Sequence, residues 1–280
     1  EKPWQKYMAE PKTQLGAGGL HGRAILITGA GGDIGRAAAL FFTKEGARTV
    51  LVDREATALE ESRRQVEELG LGEAMALQCD VTDEAAVESM VEKAAAHVGR
   101  IDGLFNNAGI QGDFAPLLEH STEAFRQTME VNVLGAFIVL KAVGKHMRDK
   151  GGGAVVNTAS MAAARGTPAM CAYVASKAAL VGLTKTASKD LAPYQIRVNC
   201  ISPALIGPGV LWDRQNELHA ASGSPFFASD PATVATNKIN SVPMRRLGTL
   251  EEVASVAAFL LSSASSYVTG NNVEVSGGLS

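Results

Sequence analysis

Residues 24–35, with the sequence AILITGAGGDIG, join a short apolar run to a glycine-rich turn. An alanine-rich stretch follows as far as about Gly46, so the segment predicts a strand, a tight turn and a helix in succession. Glycines let backbone N–H groups in such a turn approach a pyrophosphate, and the helix N-terminus adds partial positive charge. The segment therefore predicts a dinucleotide-binding site in an α/β fold.

The same alternation of strand-length apolar runs and helical stretches continues through most of the chain. The predicted strands are Ala24–Thr28, Thr49–Val52, Ala74–Cys79, Ile101–Phe105, Ala154–Thr158, Ile196–Ile201 and Asn272–Val275. The predicted helices include Ala56–Leu69, Glu84–Val98, Thr122–Met147, Ala172–Thr186 and a last one that starts with a capping box at Thr249. This order predicts a single Rossmann-type α/β domain over residues 23–280, with a doubly wound, mostly parallel sheet and helices on both faces.

Two segments stand outside this alternation. Residues 1–22 carry two prolines and a glycine-rich end, and we predict an irregular N-terminal arm there. At about residues 207–240 the alternation stops, and prolines and glycines punctuate a long irregular insertion. Such insertions are more often functional lids than plain loops. Trp212 is the largest apolar side chain of this segment, and it either shields a site from water or packs in a subunit interface.

The composition counts against several classes of protein. The 280 residues carry a net charge of −3 and the pI is near 6.0, so we expect no general attraction for nucleic acid or an anionic membrane. No apolar run approaches the roughly 18–20 residues of a membrane span. Three dispersed cysteines are typical of a reducing, cytoplasmic setting rather than of a disulfide framework. The five histidines form no ligand cluster, so we expect no metal site.

The second predicted strand ends in Asp53, which lies 18 residues beyond Gly35. This is close to the spacing of about 20 residues at which an acidic residue binds the ribose in a Rossmann unit. A carboxylate there accepts hydrogen bonds from the adenosine ribose hydroxyls and repels a 2′-phosphate, which favours NAD over NADP. Arg54 has the opposite effect, because a basic side chain can pair with that phosphate. Asp53 is also in place to cap the following helix.

A second pattern, Ser160 followed by Tyr173-x-x-x-Lys177, predicts acid–base chemistry. The surrounding stretch has a helical composition, and residues four apart share a helix face. A neighbouring cation favours a phenolate and lowers a tyrosine pKa from its ordinary value near 10, which suits Tyr173 to proton transfer with a substrate oxygen. Ser160 follows a predicted strand and is placed to hydrogen-bond the same oxygen. The alternative is a surface lysine beside a half-buried tyrosine.

Polar residues also occur where strands and helices are otherwise apolar. Asn106-Asn107-Ala108-Gly109 follows the fourth predicted strand, and open α/β sheets bind ligands at the carboxyl ends of their strands. Asn132 lies within the apolar stretch Val131–Leu140. A buried amide must be hydrogen-bonded, so Asn132 is either a polar link in the core or part of a proton path.

Together these features resemble the short-chain dehydrogenase/reductase family from about Gly22 to Gly278. The matching positions are Thr28-Gly29, Ile34-Gly35, Asp80-Val81, Asn106-Asn107-Ala108-Gly109, Asn132, Ser160, Tyr173-x-x-x-Lys177 and Pro203. The resemblance implies a catalytic tetrad in which Tyr173 is the acid/base and Ser160 polarises the substrate oxygen. It also implies that Lys177 lowers the tyrosine pKa and binds the nicotinamide ribose, and that Asn132 holds a water of the proton relay.

The resemblance further implies a cofactor site. The predicted cofactor-binding residues are Gly29, Gly32, Asp33, Ile34, Gly35, Asp53, Arg54, Asp80, Val81, Asn107, Ala108, Gly109, Tyr173, Lys177, Pro203 and Ile206. Asp33 stands where the family usually has a glycine. Because Asp tolerates left-handed conformations and can cap a helix, we expect binding to survive this difference.

Residues 206–215 resemble the lid of bacterial polyol (xylitol-type) dehydrogenases of this family. We therefore predict that Ser160, Trp212 and Arg214 contact the substrate. Members of the family are usually homotetramers or homodimers, so the resemblance implies assembly through the helix Ala172–Leu191 and through the C-terminal helix and strand.

The sequence thus predicts an NAD-dependent dehydrogenase that interconverts a secondary alcohol and its ketone, with polyols, sugars and cyclic alcohols as the favoured substrates. NADP is the less favoured cofactor. One rival is a 3-oxoacyl thioester reductase of the same family, against which Asp53 counts modestly. Another is a non-catalytic NAD-binding sensor or scaffold, which would have no need of both Tyr173 and Ser160.

Overall fold

The computed structural model describes residues 19–72 and 74–279. In this part of the chain, seven parallel strands form one sheet in the order β3-β2-β1-β4-β5-β6-β7. The strands are β1 (Ala24–Thr28), β2 (Arg48–Asp53), β3 (Met75–Gln78), β4 (Gly103–Asn106), β5 (Gly153–Thr158), β6 (Ile196–Pro203) and β7 (Asn272–Val275). The predicted N-terminal arm lies outside the described residues except for 19–22, which form a turn before β1.

Helices connect and cover the strands. They are α1 (Asp33–Lys44), α2 (Ala56–Glu67), α3 (Glu84–Val98), α4 (Thr122–Met129), α5 (Ala136–Asp149), α6 (Ala162–Arg165), α7 (Cys171–Leu191), α8 (Val210–Ala221), α9 (Pro231–Ser241) and α10 (Leu250–Leu261). The predicted capping box that begins the last helix is present between Thr249 and Glu252. No helix in the described ranges is long and apolar enough to cross a bilayer.

Alternate residues of β1 contribute to two separate cores, one on each face of the sheet. Ala24 and Leu26 of β1 pack with side chains from α3, α5 and α7, whereas Ile25 and Ile27 pack with side chains from α1, α2 and α10. All five residues of β1 are buried, as expected for a parallel strand covered on both faces. The predicted α/β class, the parallel sheet and the helices on both faces are therefore confirmed.

The strand order changes direction at β1, which pairs with β2 on one side and with β4 on the other. The loops that follow β1 and β4 diverge at the carboxyl edge of the sheet, where a crevice opens between them. The hydroxyl of Thr28 accepts hydrogen bonds from Asn107 N–H at 2.9 Å and from Ala108 N–H at 3.1 Å. These bonds fix the relative position of the two loops that border the crevice.

The long helix predicted over residues 122–147 is interrupted. α4 ends at Met129, the six residues Glu130–Gly135 form a π-helical turn, and α5 then continues to Asp149. The wider turn contains Asn132, whose side chain is bonded to neighbouring segments rather than to its own helix. Turns of this kind are frequent at functional sites. The apolar sequence around Asn132 contains no proline, so it carries no local sign of the interruption.

The prediction that residues 207–240 form a long irregular insertion is wrong in its secondary structure, because most of this segment forms α8 and α9. Asp230 caps α9 by accepting a hydrogen bond from Thr233 N–H at 2.9 Å, and Pro231 is the first residue of the helix. Proline in this position begins a helix rather than breaking one, since the first N–H groups of a helix have no intrahelical partner.

A substitution at Gly35 tests how closely the glycine turn is packed. A Cβ at this position would lie 2.1 Å from the backbone oxygen of Gly29, which cannot rotate away. We expect Gly35→Ala to lower the free energy of unfolding, measured with urea, by about 1–3 kcal/mol, the usual cost of overpacking.

Gly144→Ala is the matched control, because a Cβ inside α5 at Gly144 would make only an ordinary contact with Leu191, at 3.7 Å. Replacing a glycine inside a helix should raise the free energy of unfolding by about 0.5–1 kcal/mol. A Gly35→Ala variant as stable as the wild type would contradict the close packing of the turn.

Candidate active site

A cleft of about 380 Å³ opens at the carboxyl edge of the sheet, and we call it the first cleft. It is lined by most of the residues predicted to bind the cofactor: Gly29, Gly32, Asp33, Ile34, Asp53, Arg54, Asp80, Val81, Asn107, Ala108, Gly109, Tyr173 and Lys177. Three predicted residues lie elsewhere. Gly35 packs against the backbone of the turn, and Pro203 and Ile206 line a second pocket.

The glycine turn of the first cleft is shaped to receive an anionic group. Gly29 has a φ of +66°, and a Cβ there would lie 2.9 Å from Ala108 Cα. Gly32 precedes α1 and has no side chain with which to cap the first N–H groups of the helix. The nearest atom to a Cβ built at Gly32 is 3.6 Å away, so the turn leaves space in front of these donors. Free N–H groups at a helix N-terminus suit a pyrophosphate, so the residues fit a dinucleotide.

Asp33 does not cap α1, contrary to the prediction. Gly32 is the N-cap, and Asp33 is the first residue of the helix and lines the first cleft. A carboxylate in the first turn interacts favourably with the helix dipole. The same charge repels a phosphate bound nearby, so Asp33 stabilises the helix at some cost to anion binding.

Asp53, at the end of β2, uses both carboxylate oxygens to shape the cleft. Oδ2 accepts a hydrogen bond from Gly31 N–H at 2.9 Å, and Oδ1 accepts one from Glu55 N–H at 3.0 Å. Glu55 is the N-cap of α2, so the additional prediction that Asp53 caps this helix is wrong. Arg54 forms an ion pair with Glu55 at 3.2 Å, but both side chains are exposed and such pairs are weak.

Asp80 supplies a second acceptor in the first cleft. Its Oδ1 accepts hydrogen bonds from the backbone N–H of Thr82 at 2.9 Å and from the Thr82 hydroxyl at 2.7 Å. These bonds hold the pKa of Asp80 below its ordinary value. The carboxylate is therefore ionised at neutral pH and suits an N–H or O–H donor of a ligand.

Tyr173 lies where the first cleft meets the second pocket, which has a volume of about 260 Å³, and it lines both spaces. Burial raises the pKa of Tyr173 above its ordinary value, and a hydrogen bond with Ser160 opposes this rise only in part. The net direction is thus opposite to the predicted lowering, and the contribution of Lys177 to the pKa of Tyr173 stays a prediction. The ammonium of Lys177 is directed elsewhere.

Lys177 is buried one helical turn after Tyr173, with 4% of its surface exposed. Its Nζ donates a hydrogen bond to the carbonyl oxygen of Thr158 at 2.8 Å and lies 5.6 Å from the centroid of the Tyr173 ring. Burial lowers the pKa of Lys177 to about 8, which weakens its hold on a proton. A Cβ at Gly109 would lie 3.3 Å from Nζ, so the small residue keeps space beside the ammonium.

Asn132 is a polar link between three segments, as one of its two predicted alternatives required. Its Nδ2 donates hydrogen bonds to the carbonyl oxygen of Ile110 at 2.8 Å and to the Ser176 hydroxyl at 2.9 Å. Its Oδ1 accepts a hydrogen bond from Ile110 N–H at 2.7 Å. Asn132 thereby ties the loop after β4 to α7 beside Lys177. Its water-holding role stays a prediction.

The second pocket lies between the loops after β5 and β6 and the helices α8 and α9. We use the name lid for α8 and α9 together. Polar or charged residues that line the pocket are Gln111, Thr158, Ser160, Arg165, Thr167, Tyr173, Gln215, His219, Lys238 and Ser241. Met170, Trp212 and Phe227 add large apolar surfaces. The pocket therefore suits a small molecule with both polar and apolar parts.

Of the three residues predicted to contact substrate, Ser160 and Trp212 line the second pocket, whereas Arg214 lines the first cleft. Residues two apart on a helix point in different directions, so α8 presents Trp212 to one space and Arg214 to the other. Trp212 is 7% exposed and its ring centroid lies 5.4 Å from Lys238 Nζ. Little of its surface remains exposed for a subunit interface, and its shielding of the site stays a prediction.

Gln111, Thr158 and Lys238 are among the residues that line these spaces without having been predicted from the sequence. Thr158 ends β5, and Gln111 follows soon after β4. The rule that ligands bind at the carboxyl ends of strands would have indicated both. Lys238 carries no comparable local sign, because its hydrogen-bond partners lie on another helix.

Known proteins resemble this chain over nearly its whole length. A protein-family model described as enoyl-(acyl carrier protein) reductase matches residues 29–280. Levodione reductase of Leifsonia aquatica is 39% identical over 92% of this chain and 94% of its own length. A 3-oxoacyl-[acyl-carrier-protein] reductase of Thermotoga maritima is 36% identical over 93% and 98%. The crystal structure of an NAD⁺-bound xylitol dehydrogenase is 49% identical, covers 92% of this chain and 99% of its own, and superposes with a TM-score of 0.91.

The fold, the two adjoining spaces around Tyr173 and these similarities define the class, and the chain belongs to the short-chain dehydrogenase/reductase family. It is an oxidoreductase of this family that acts on CH–OH groups. The family resemblance found in the sequence motifs is therefore confirmed. The solved xylitol dehydrogenase is also of the polyol type that the lid sequence resembles.

Replacing Asp53 tests the choice of cofactor. Asp53→Ala removes the acceptor for ribose hydroxyls and also the hydrogen bond from Gly31 N–H. Hydrogen bonds to charged groups contribute about 1.5–3 kcal/mol, so the Kd for NADH should rise roughly 10- to 150-fold. The Kd for NADPH should change less, because the repulsion of its phosphate is also removed.

Fluorescence titration with NADH and NADPH measures both constants. Glu92→Ala on the exposed face of α3 removes an equal charge outside the first cleft and should alter neither. Tighter binding of NADPH than of NADH by the wild type would mean that Arg54, not Asp53, dominates the choice.

Proposed function

We propose that this protein interconverts a secondary alcohol and its ketone, with NAD as the hydride carrier and with polyols, sugars or cyclic alcohols as substrates. The observation that carries the proposal is the position of Tyr173, between a cleft that fits a dinucleotide and a small polar pocket. A hydroxyl group held in the pocket can exchange its proton with Tyr173 while its carbon faces the cleft. Similarity to levodione reductase and to xylitol dehydrogenase supports the same substrate class.

In the direction of alcohol oxidation, bound NAD⁺ supplies a hydride acceptor. Tyr173, as the phenolate, takes the proton of the substrate hydroxyl, and Ser160 donates a hydrogen bond to the same oxygen. Lys177, as the ammonium, favours that phenolate through its positive charge. In ketone reduction the proton moves in the opposite direction, from the Tyr173 phenol to the substrate oxygen.

Asn132 acts at a distance from the reacting atoms. It holds Ile110, which lines the first cleft, and Ser176, which precedes Lys177 on α7. We assign it a positioning role for the lysine and for the loop after β4. The π-helical turn suits this role, because it brings the amide within reach of both partners.

The rival thioester reductase differs in the size of its substrate. The second pocket, about 260 Å³ and bordered by Trp212 and Phe227, lies near the lower end of the volumes typical of small-molecule sites. A panel of polyols, sugars and cyclic alcohols, followed through NADH formation, tests the proposal against a 3-oxoacyl thioester followed through NADH consumption. Turnover of the thioester alone would make the rival the function. No turnover in either direction would favour a non-catalytic NAD-binding protein.

Tyr173→Phe tests the acid/base. The change removes the exchangeable proton and keeps the ring, so the fold and the affinity for NADH should persist. General acid–base catalysis typically contributes about 10²–10⁴-fold, and we expect kcat to fall by at least that range. Tyr194→Phe is the matched control, because Tyr194 is 46% exposed and lies outside both spaces. Activity near that of the wild type in Tyr173→Phe would eliminate the mechanism.

Trp212→Ala tests the lid. Removing a buried ring from the wall of the second pocket should lower kcat/KM for the alcohol at least about tenfold, since aromatic side chains bury large apolar areas. The affinity of the free enzyme for NADH should change little, because the adenosine half is expected at Asp53 and Asp80. Phe226→Ala is the control, because Phe226 is 77% exposed. Unchanged kinetics with loss of the oligomer would instead assign Trp212 to an interface.

We also propose that the protein is a cytoplasmic homotetramer or homodimer. Leu134 and Phe137 are 47% and 44% exposed and line a shallow apolar groove with Leu183 of α7. Contiguous exposed apolar surface supports a subunit contact on this face, and α7 is the helix for which the family resemblance implies one. The three cysteines are free thiols, which suits a reducing compartment. Sedimentation velocity measures the oligomeric state.

A further inference from the structure

The second pocket carries charge of one sign. Lys238 and Arg165 line it together with His219, and no Asp or Glu of the described residues does. Within residues 19–72 and 74–279, the ion pairs include neither Lys238 nor Arg165. Arg165 is exposed to solvent, so Lys238 is the cation of the pocket that is partly removed from water. A pocket built for a neutral alcohol alone has no need of such a cation, because removing a charge from water is costly.

Lys238 is held in one orientation by the packing of the two lid helices. Its Nζ, on α9, donates hydrogen bonds to Asn216 Oδ1 at 2.8 Å and to His219 Nδ1 at 2.9 Å, both on α8. An ammonium has three N–H donors, so these two neutral partners leave one donor for a ligand.

His219 is a neutral acceptor for this lysine at neutral pH. It is 1% exposed and packs between the rings of Phe114 and Phe227, at centroid distances of 4.8 and 4.0 Å. Burial, reinforced by the charge of Lys238, lowers the pKa of His219 to about 3. Because Nδ1 faces an ammonium, the ring proton lies on Nε2, which has no partner among the described residues. His219 therefore positions Lys238 without neutralising it.

The surroundings of Lys238 disfavour its charged form. Burial lowers the pKa of Lys238 to about 8, and His219 is the titratable group that faces its Nζ, with the Trp212 ring beside it. An anionic ligand would compensate the burial and restore the charged form. Charge-assisted hydrogen bonds to a carboxylate are also about twice as strong as those between neutral groups.

We propose that the second pocket takes a hydroxy acid, a small secondary alcohol whose carboxylate lies away from the carbon that is oxidised and accepts the third N–H of Lys238. The inference rests on the proposed function and narrows its substrate class. A polyol hydroxyl would accept the same hydrogen bond but would leave the positive charge of the pocket uncompensated. A carboxylate accepts the bond and balances the charge.

The kinetic test compares acids with uncharged analogues of similar size. The pairs are the 3- and 4-hydroxycyclohexanecarboxylates with the corresponding carboxamides, and xylonate with xylitol, each followed through NADH formation. We expect kcat/KM for the acid to exceed that for its neutral partner at least about tenfold in the wild type. Equal values, or a preference for the neutral partners, would overturn the proposal and leave a polyol or a neutral cyclic alcohol as the substrate.

The variants assign the preference to Lys238. Lys238→Met should lower the ratio of acid to neutral kcat/KM about 10- to 100-fold, whereas Lys238→Arg should keep part of it. Lys93→Met, on the exposed face of α3, removes the same charge away from the pocket and should keep the wild-type ratio. Thermal unfolding checks that the variants are folded. An unchanged ratio in folded Lys238→Met would overturn the assignment.

A binding test separates this inference from the proposed function. Calorimetry with cyclohexanecarboxylate and its neutral carboxamide needs no turnover. Preferential binding of the carboxylate, lost in Lys238→Met and kept in Lys93→Met, would support the anion site even if no alcohol were oxidised. Equal binding of the two compounds by the wild type would overturn the anion site even if alcohols were oxidised.

Discussion

The hydroxyl of Thr28 is the small group on which the geometry of the site depends. It accepts hydrogen bonds from the backbone of Asn107 and Ala108, and its own proton points to Asn106 Oδ1 at 3.4 Å. These bonds join the end of β1 to the end of β4 at the place where the strand order reverses. The glycine turn then packs directly on the loop after β4, with no room for a side chain at Gly29. The first cleft is the space that this junction leaves open.

The proposed acid–base pair, Tyr173 and Lys177, also depends on fixed polar contacts among buried groups. Lys177 is held by the carbonyl oxygen of Thr158, and Asn132 holds the neighbouring turn of α7 through Ser176. Burial favours the neutral forms of Tyr173 and Lys177, raising one pKa and lowering the other. The pKa of Tyr173, above its ordinary value near 10, and the pKa of Lys177, about 8, therefore lie further apart than those of free tyrosine and lysine, which are nearly equal. Burial, more than the neighbouring cation, governs the pair in this structure.

One helix of the lid, α8, borders both the first cleft and the second pocket. α8 turns Arg214 toward the first cleft and Trp212 toward the second pocket, so a single element borders both spaces. α9 completes the pocket wall with Lys238, whose partners belong to α8. The sequence pattern predicts an irregular segment here, because prolines such as Pro231 usually punctuate loops. The cap at Asp230 makes the same proline a helix start.

The sequence by itself determined the α/β fold, the phosphate-binding turn, the position of Asp53 and the pairing of Tyr173 with Lys177. Each depends on short-range periodicity or on spacing within one strand–turn–helix unit, which the backbone translates directly into geometry. Only the tertiary structure decided the direction of the pKa of Tyr173, the space that Arg214 borders and the meeting of Lys238 with His219. Those properties depend on burial and on packing between elements distant in the chain, and neither is encoded in any local pattern.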